Sequence, residues 1–384
     1  YGASVVLGSA TPSLEAYYRA GRGEYRLFQL TKRLTGGELP AVYTVDLRQE
    51  LQEGNRSIFS RKLQELMTDR LNKGQQTILF LNRRGYAGFV SCRSCGEVMK
   101  CPHCDVSLSE HKGGRLICHY CGYTQPMPKL CPKCGSKYIL GFKAGTQQIE
   151  EKLKELYPGV RTLRMDADTT RTKDSYEKIL SSFANGEADV LIGTQMIVKG
   201  HDFPKVTLVG ILAADLSLNA SDYRAGERTF QLLTQAVGRA GRGVLPGEAV
   251  IQTYQPDHYA ITCAAAQDYE SFYQEEILYR ELSGYPPVAH MLAVQIYGKE
   301  EENVKQLALR LTDVVKSNMD FLQILGPTPA NISKINDIYR YVFYAKHAEY
   351  DTLVAVKDCV EETLRQWQPR QLSIQFDFDP VNVL

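Results

Sequence analysis

The feature that most constrains this chain is a run of eight cysteines, out of ten in all, between positions 92 and 134. Two thiolates three positions apart on a tight turn can bind one tetrahedral ion, and two such pairs complete a four-cysteine site. A disulfide scaffold is typical of short secreted chains, whereas this chain has 384 residues and no visible leader. The spacing therefore predicts two structural zinc ions. The cysteines form four CxxC pairs: Cys92/Cys95, Cys101/Cys104, Cys118/Cys121 and Cys131/Cys134.

The lengths between the pairs indicate which cysteines share an ion. Five residues separate the first and second pairs, and thirteen residues that include Gly113-Gly114 separate the second and third. The longer stretch predicts a hairpin of Val106–Leu108 and Arg115–Ile117 with a CxxC pair at each base. This favours a nested arrangement, although a cross-brace of first with third and second with fourth stays open. In the nested arrangement the inner site is Cys101, Cys104, Cys118 and Cys121, and the outer site is Cys92, Cys95, Cys131 and Cys134.

The same region is rich in positive charge, with seven basic and three acidic side chains over 88–142. Two explanations fit. The surplus offsets the formal charge of minus two on each four-cysteine zinc site, which we favour slightly, or it binds nucleic acid together with Tyr120, Tyr123 and Tyr138. The basic residues are Arg93, Lys100, Lys112, Arg115, Lys129, Lys133 and Lys137.

Composition excludes a mainly disordered chain and a membrane protein. Hydrophobic residues make up 43% and charged residues 23%, as in ordinary globular proteins. No window approaches eighteen apolar residues, so no membrane span is expected. Lys plus Arg number 45 against 44 Asp plus Glu, so attraction to nucleic acid must come from a local patch. The chain begins at Tyr1 without a targeting leader, which suggests a piece of a longer, cytoplasmic protein.

The segments around the cysteines alternate between short apolar strands and amphipathic helices. This pattern predicts a parallel sheet covered by helices, with the cysteine region inserted after Leu81. The predicted helices are Ser60–Leu71, Thr146–Leu156, one that begins near Thr169 or Thr170 and ends before Gly186, and Tyr223–Val237. The predicted strands are Thr77–Leu81, Arg161–Met165, Asp189–Gly193, Val206–Ala213 and Glu248–Thr253.

Three segments carry recognisable chemistry, and we expect them at the carboxyl ends of strands. Gly8–Pro12 (GSATP) follows an apolar strand predicted at Val5–Leu7, and Gly193–Asp202 (GTQMIVKGHD) follows another strand. Gln235–Arg242 (QAVGRAGR) ends the long helix, where two arginines beside glycines suit bidentate capture of phosphate oxygens.

In this order the three segments resemble motifs III, V and VI of superfamily 2 helicases. With four CxxC pairs inserted in the second motor lobe, the chain is similar to the PriA (primosomal protein N-prime) family of replication-restart helicases. LNRRGYAGF (81–89), MDADTTR (165–171) and Tyr285-Pro286-Pro287 stand in the expected places. The resemblance implies a RecA-like lobe with a two-zinc insertion, followed by a small α+β domain. The implied divisions are 1–22 as the end of lobe 1, 23–284 as lobe 2, 91–135 as the zinc insertion and 285–384 as the C-terminal domain.

The resemblance also assigns roles to individual residues. Arg239 and Arg242 would reach ATP phosphates, with Arg242 as the arginine finger, and Gln235 would couple nucleotide to motor. Capping and loop hydrogen bonds are the ordinary structural explanation of the same side chains. The nucleotide would also contact Asp202 and Gly200, and the DNA backbone would be gripped by Thr194, Gln195 and Lys199.

Two motifs of a complete motor are missing from the sequence. It has neither a GxxxxGK[ST] phosphate loop nor an Asp-Glu-x-His motif, which in this superfamily bind ATP and Mg²⁺ from the other lobe. We therefore expect these 384 residues to hydrolyse no ATP alone.

The last hundred residues predict a β-α-β-β-α-β domain of the ferredoxin-like order without an acid, base or nucleophile, hence a binding domain. The resemblance implies that it engages branched DNA and the C-terminal tail of single-stranded DNA-binding protein. Arg340, Lys346 and His347 are basic candidates for that acidic tail, and a solvated strand end explains them equally well. The predicted elements are Met291–Tyr297, Glu300–Lys316, Leu322–Leu325, Ile338–Ala345, Tyr350–Gln366 and Leu372–Phe378.

The function implied for the intact protein is ATP-driven 3′-to-5′ unwinding of DNA at abandoned replication forks, with assembly of other primosome proteins. Two alternatives remain: a zinc-containing DNA-uptake translocase, and a non-catalytic zinc-containing DNA-binding adaptor. A phosphate loop upstream of Tyr1 would distinguish a motor from an adaptor.

Overall fold

The computed structural model describes residues 3–30, 39–81, 90–103, 106–111, 114–118, 121–141, 145–166, 169–170, 173–198, 203–220, 222–319, 322–369 and 371–381. The helices are α1 Leu14–Gly21, α2 Leu47–Gln52, α3 Arg61–Asn72, α4 Thr146–Leu156, α5 Lys173–Ala184, α6 Asp215–Leu218, α7 Ala225–Val237, α8 Tyr259–Ala266, α9 Tyr269–Ser283, α10 Glu301–Asn318 and α11 Tyr350–Trp367, with a 3₁₀ turn at Gln195–Val198. The strands are β1 Ala41–Asp46, β2 Gln76–Phe80, β3 Val90–Cys92, β4 Ser109–His111, β5 Arg115–Ile117, β6 Thr124–Pro126, β7 Ile139–Gly141, β8 Thr162–Met165, β9 Val190–Gly193, β10 Val206–Ile211, β11 Glu248–Thr253, β12 His290–Gly298, β13 Gln323–Ile335, β14 Ile338–His347 and β15 Leu372–Phe378.

A six-stranded sheet, in the order β1-β11-β10-β2-β9-β8, forms the core of the lobe that the resemblance implies to be a motor lobe, and this name is kept below. All its neighbouring strands run parallel. Every residue of β2, β9 and β10 is buried, because helices cover both faces. Leu63 and Leu153, from α3 and α4, pack on one face, and Phe183 and Phe230, from α5 and α7, pack on the other. The parallel sheet predicted from the alternating pattern is confirmed.

The segment that precedes α1 differs from its prediction. Val5–Leu7 forms no strand, and the side chains are 82%, 90% and 72% exposed. A strand needs a neighbour to take up its backbone hydrogen bonds, and no strand of the described residues lies beside this one. Leu14, in contrast, is fully buried in the core that contains Phe230, so α1 is docked on the motor lobe.

The cysteine insertion, here called the zinc module, is built from short antiparallel pairs. β3 pairs with β7 at its base, and β4, β5 and β6 form a three-stranded sheet. The predicted hairpin is therefore shifted: Arg115–Ile117 is a strand, but its partner is Ser109–His111 instead of Val106–Leu108. Val106 and Leu108 are buried in the module's core instead, which their apolar character explains.

The C-terminal domain follows the predicted β-α-β-β-α-β order. Its antiparallel sheet has the order β13-β14-β12-β15, and α10 and α11 pack on one face through residues such as Leu311 and Val356. The strand predicted at Leu322–Leu325 is longer than expected, since β13 reaches Ile335.

The other face of this sheet packs against the zinc module. Met291 and Tyr344 of the sheet lie in one buried cluster with Leu108 and Leu116 of the module. The zinc module therefore contacts the C-terminal domain as well as the motor lobe that contains it. Among the described residues, no helix is both long and apolar enough to cross a membrane.

Candidate functional site

The outer four cysteines come together in one cluster. Cys92 Sγ lies 3.7 Å from Cys134 Sγ, and Cys95 Sγ lies 3.6 Å from Cys131 Sγ. All four sulfur atoms lie within 4.8 Å of one another. A tetrahedral zinc ion with Zn–S bonds near 2.3 Å places its sulfurs roughly 3.8 Å apart. The donor set and its spacing fit zinc.

Three of the inner cysteines form a second cluster, in which Cys101 Sγ lies 3.5 Å from Cys121 Sγ and Cys118 is close to both. Cys104, the predicted fourth ligand, lies outside the described residues. The grouping of the described cysteines is the nested arrangement, not the cross-brace.

Each described CxxC turn is closed by a glycine that follows the second cysteine. The amide of Gly96 donates to Cys92 O at 2.8 Å, and that of Gly122 donates to Cys118 O at 2.9 Å. Both glycines have φ of +77°, in the left-handed region that other residues seldom adopt. The CxxCG sequence thus sets the turn that aims both sulfurs at one point.

The outer cluster is docked on the carboxyl ends of motor strands. A Cβ at Gly96 would lie 2.5 Å from Tyr254 O, just after β11, so the two backbones are in close contact. Arg48 Nη1 donates to Cys95 O at 3.5 Å while its Nη2 pairs with Asp46 Oδ2 at 2.7 Å, at the end of β1. The inner cluster points elsewhere, because Gly122 lies against Thr328 of the C-terminal domain.

The predicted DNA contacts Thr194 and Gln195 lie at the same carboxyl edge. Thr194 directly follows β9, its amide donates to Met165 O at 3.4 Å, and Gln195 opens the 3₁₀ turn. Both side chains are half-buried. Lys199, Gly200 and Asp202 lie outside the described residues, as does the 82–89 stretch of the LNRRGYAGF match.

A carboxylate that sequence reasoning missed stands beside Thr194. Asp166 follows β8, accepts from Thr146 Oγ1 at 2.6 Å and pairs with Arg164 Nε at 2.8 Å. Burial raises the pKa of Asp166, but the hydrogen bonds from Thr146 and Thr169 and the Arg164 charge outweigh it, so the pKa lies below its usual value. The MDADTTR match was the available signal. Asp166 stays charged and orders this edge.

Asp215 is a second missed carboxylate at this edge, where β10 ends. It is 4% exposed and accepts from Thr253 Oγ1 at 3.0 Å and from the amide of Tyr254 at 3.0 and 3.1 Å. Burial raises the pKa of Asp215 to about 6. The hydrogen bonds of Asp215 fix Tyr254, the residue whose backbone is in close contact with Gly96.

The arginine segment is not at the carboxyl edge, and that expectation is wrong. The amide of Gly241 donates to Val206 O at 3.0 Å, and Val206 is the first residue of β10. The physical reason is that α7 runs antiparallel to the strands, so its last residues return to their amino ends. A Cβ at Gly241 would meet Gly247 N at 2.4 Å, so glycine is required at this crossing.

Both predicted phosphate-binding arginines are on this amino edge. Arg242 is exposed, and its Nε donates to Gly238 O at 2.8 Å; Arg239 is half-buried. Gln235, one turn earlier, reaches Thr11 Oγ1 with its Nε2 at 3.5 Å. The SAT segment and the QAVGRAGR segment therefore meet, as motifs on the two sides of one nucleotide cleft would.

The three basic candidates of the C-terminal domain are not equivalent. Lys346 is 5% exposed, donates to Ser283 O at 2.6 Å and lies over the Tyr285 ring, so it does not offer a surface contact. Arg340 is half-buried with its guanidinium over Tyr297, and His347 Nδ1 accepts from the amide of Glu349 at 2.9 Å.

A parallel-sheet lobe with these two motif-bearing edges and a cysteine-rich insertion defines the C-terminal motor lobe of a helicase. Three family profiles match: "Helicase conserved C-terminal domain" over 130–244, "PriA DNA helicase Cys-rich region (CRR) domain" over 101–126, and "Primosomal protein N C-terminal domain" over 281–381. The chain belongs to the PriA replication restart protein family and corresponds to its C-terminal portion.

Curated relatives named "Replication restart protein PriA" match along almost the whole chain. The protein from Bacillus subtilis (strain 168) is 46% identical over 98% of this chain and 47% of its own length. The Synechocystis protein is 42% identical over 99% of this chain and 46% of its own length. The chain thus spans about half the length of these relatives.

Proposed function

We propose that the chain is the second motor lobe, zinc module and C-terminal binding domain of an ATP-dependent 3′-to-5′ DNA helicase that recognises abandoned replication forks and starts primosome assembly. The domain limits of the sequence analysis are part of this proposal. The contact between Thr11 and Gln235 carries it, because it joins the SAT and QAVGRAGR segments beside two arginines.

The arginines would act on ATP held by residues upstream of Tyr1. ATP with Mg²⁺ supplies the transferable phosphoryl group and its charge neutralisation. Arg242, exposed at the amino edge, would donate to the phosphate oxygens on which charge develops, and Arg239 would support it. Gln235 links this edge to Thr11, and Asp202 and Gly200 would contact the nucleotide.

DNA would bind at the opposite edge of the sheet. Thr194, Gln195 and Lys199 would grip its backbone, and the zinc module, docked at the same edge, would extend this surface with its lysines. Two zinc ions would hold the module, since cysteine fills every predicted coordination position and leaves none for chemistry. The C-terminal domain would engage branched DNA, and Arg340 and His347 would meet the acidic tail of single-stranded DNA-binding protein.

A forked-DNA unwinding assay on the intact protein, with the residues upstream of Tyr1, tests this function. Wild type should unwind the fork only with ATP, and Arg242→Ala should slow hydrolysis by roughly 10³-fold or more, as expected of an arginine finger. Arg56→Ala, at an exposed arginine of the same lobe, is the matched control and should unwind normally. A wild-type protein that binds forks but neither hydrolyses ATP nor unwinds them would instead establish the non-catalytic adaptor.

A further inference from the structure

A buried ion-pair network lies at the first turn of α7, about two turns before Gln235, and the proposed function uses none of it. Arg280 and Glu276 of α9 are fully buried, and the side chain of Glu227 of α7 is 5% exposed. Arg280 Nη2 lies 2.8 Å from Glu276 Oε1 and 3.1 Å from Glu227 Oε2, and Nη1 donates to Pro286 O at 2.7 Å. One guanidinium thus ties two helices to the start of the C-terminal domain.

On one side the network holds the SAT segment. Glu227 Oε1 accepts from the buried amide of Leu14 at 2.9 Å. Tyr269 OH donates to Pro12 O at 3.1 Å, and Arg224 Nη1 pairs with Glu15 at 2.7 Å. These bonds fix the backbone that directly follows Thr11, and Thr11 is the residue that meets Gln235.

On the other side the network reaches the C-terminal domain. The Arg280 guanidinium lies 4.8 Å from the centre of the Tyr223 ring, which stacks on Tyr285 at 4.7 Å with the planes 7° apart. Lys346 of β14 lies over Tyr285, with Nζ 3.9 Å from the ring centre. A continuous set of contacts therefore runs from β14 to the SAT segment.

Such a network is better suited to fixing positions than to adding stability. Well-packed apolar residues in place of a buried ion pair are often equally stable, whereas removing one charged partner leaves an uncompensated buried charge. The Glu227 carboxylate bonds both the Arg280 guanidinium and the Leu14 amide. The network therefore favours one placement of α1 relative to α9.

We propose that Arg280 is a positioning residue for ATP hydrolysis, which sets the contact between Thr11 and Gln235 according to how the C-terminal domain sits on α9. Its role in hydrolysis depends on the proposed function, but its role in docking the SAT segment does not. Occupation of the C-terminal domain by DNA would thereby be sensed at the nucleotide edge without any direct contact.

Hydrogen exchange of the 384-residue chain tests the docking. Arg280→Lys and Glu227→Gln should each speed exchange of the Leu14 amide by about ten-fold, because they loosen or neutralise a buried pair while keeping its size. The matched control is Arg70→Lys, since Arg70 has a side chain 9% exposed and pairs with Glu248 in the same lobe. Exchange at Leu14 that is unchanged, or that rises equally in the control, would overturn the proposal.

ATP hydrolysis by the intact protein tests the positioning role of Arg280. Arg280→Lys should lower the kcat of DNA-stimulated hydrolysis about ten-fold, with the KM for ATP within two-fold, and Arg70→Lys should change neither. Normal DNA stimulation in Arg280→Lys would overturn the positioning role. A wild-type protein without ATP hydrolysis would overturn the proposed function and this role together, while the exchange result would still decide the docking.

Discussion

The two edges of the motor sheet carry different side chains. The carboxyl edge holds Thr194, the buried carboxylates Asp166 and Asp215, and the docked outer cysteine cluster. The amino edge holds Arg239 and Arg242 on a glycine-containing loop that is fixed to the first residue of β10. Because the two edges are separate, we expect changes at the zinc module to alter DNA binding while the arginine edge stays folded. The predictions below test whether the two edges are independent of each other.

Loss of one cysteine ligand should have the largest effect. The 384-residue chain should hold two zinc ions, and Cys118→Ser should release one of them, because the inner site then lacks one of the four thiolates that a closed structural zinc site needs. The inner cluster contacts the C-terminal domain, so exchange protection should fall there and in the zinc module, and persist in β9 and β10. Zinc content measured with hydrogen exchange is the test.

The control for this change is Cys263→Ser, a half-buried thiol of α8 outside both clusters. It should retain both ions. Fewer than two zinc ions in wild type would refute the two-site account, and loss of protection across the motor sheet in Cys118→Ser would refute the independence of the edges.

The free energy of unfolding should depend on pH through Asp215, at the carboxyl edge. Its pKa is raised from 3.8 to about 6 in the folded chain. The folded state therefore keeps a proton that the unfolded state loses, and the stabilisation present below pH 3.8 is lost as the pH rises through about 6. Relative to Asp215→Asn, which does not titrate, the wild-type free energy of unfolding should fall by up to about 3 kcal/mol over this range.

Denaturant unfolding of both proteins at several pH values measures this difference. Zinc loss at low pH is common to both proteins, so its effect cancels in the difference between their free energies of unfolding. A constant difference between wild type and Asp215→Asn from pH 4 to 7 would show that the carboxyl group is solvated instead of buried.

Two of the glycines that close CxxC turns, Gly96 and Gly122, should respond unequally to alanine. Both have φ of +77°, so each change carries a strain of about 1 to 2 kcal/mol. At Gly96 the new Cβ also meets Tyr254 O at 2.5 Å, whereas at Gly122 the nearest atom is Thr328 Oγ1 at 3.4 Å. Gly96→Ala should therefore cost about 1 to 3 kcal/mol more.

Thermal unfolding with zinc content checked on the same samples provides the comparison, and Gly159→Ala, with φ of +87° and open space around it, isolates the strain alone. Equal destabilisation by Gly96→Ala and Gly159→Ala would mean that the outer cluster is not docked on Tyr254.

The smallest effect is expected from the module's lysines. Lys133 pairs with Glu97 at 3.3 Å, yet its side chain remains 66% exposed. Lys137 lies over the Tyr138 ring. If these lysines contact DNA, changing Lys129, Lys133 and Lys137 to Ala should lower the salt slope of binding by about 0.7 to 0.9 for each phosphate that the protein no longer neutralises. A triple change of Lys62, Lys73 and Lys154, on and beside α3 and α4, serves as control.

Binding titrations at several salt concentrations separate the two explanations of the positive charge. An unchanged slope with both zinc ions retained would exclude the module from the DNA path. Loss of zinc in the triple variant would instead support charge compensation.

Local pattern predicted the fold well where the hydrophobic periodicity and the helix-ending signals were strong. The bounds of α4 and β11 match their prediction because glycine and proline residues frame them. β1 was missed because it joins the sheet only by pairing with β11, more than two hundred positions away in sequence. Val5–Leu7 was predicted as a strand from its apolar residues alone, and strand formation depends on a neighbour.

For the candidate site, motif order predicted which side chains matter but not where they lie. Cysteine spacing was sufficient to predict the clusters, since the CxxCG turn determines local geometry. The position of Arg242 at the amino edge follows from the direction of α7, which a motif does not encode. The i, i+4 spacing of Glu276 and Arg280 indicates no more than a pair on one helix. The link from Arg280 to Glu227 had no sequence signal, because α9 and α7 are brought together only in the folded chain.

ATP hydrolysis by the 384-residue chain tests the central claim most directly. If the chain is one lobe of a motor, its arginines have no ATP and Mg²⁺ presented to them, and DNA-stimulated phosphate release should equal that of an Arg242→Ala preparation. The intact wild-type protein, measured alongside, should release phosphate when DNA is added. Release by the 384-residue chain above its Arg242→Ala variant would contradict the account.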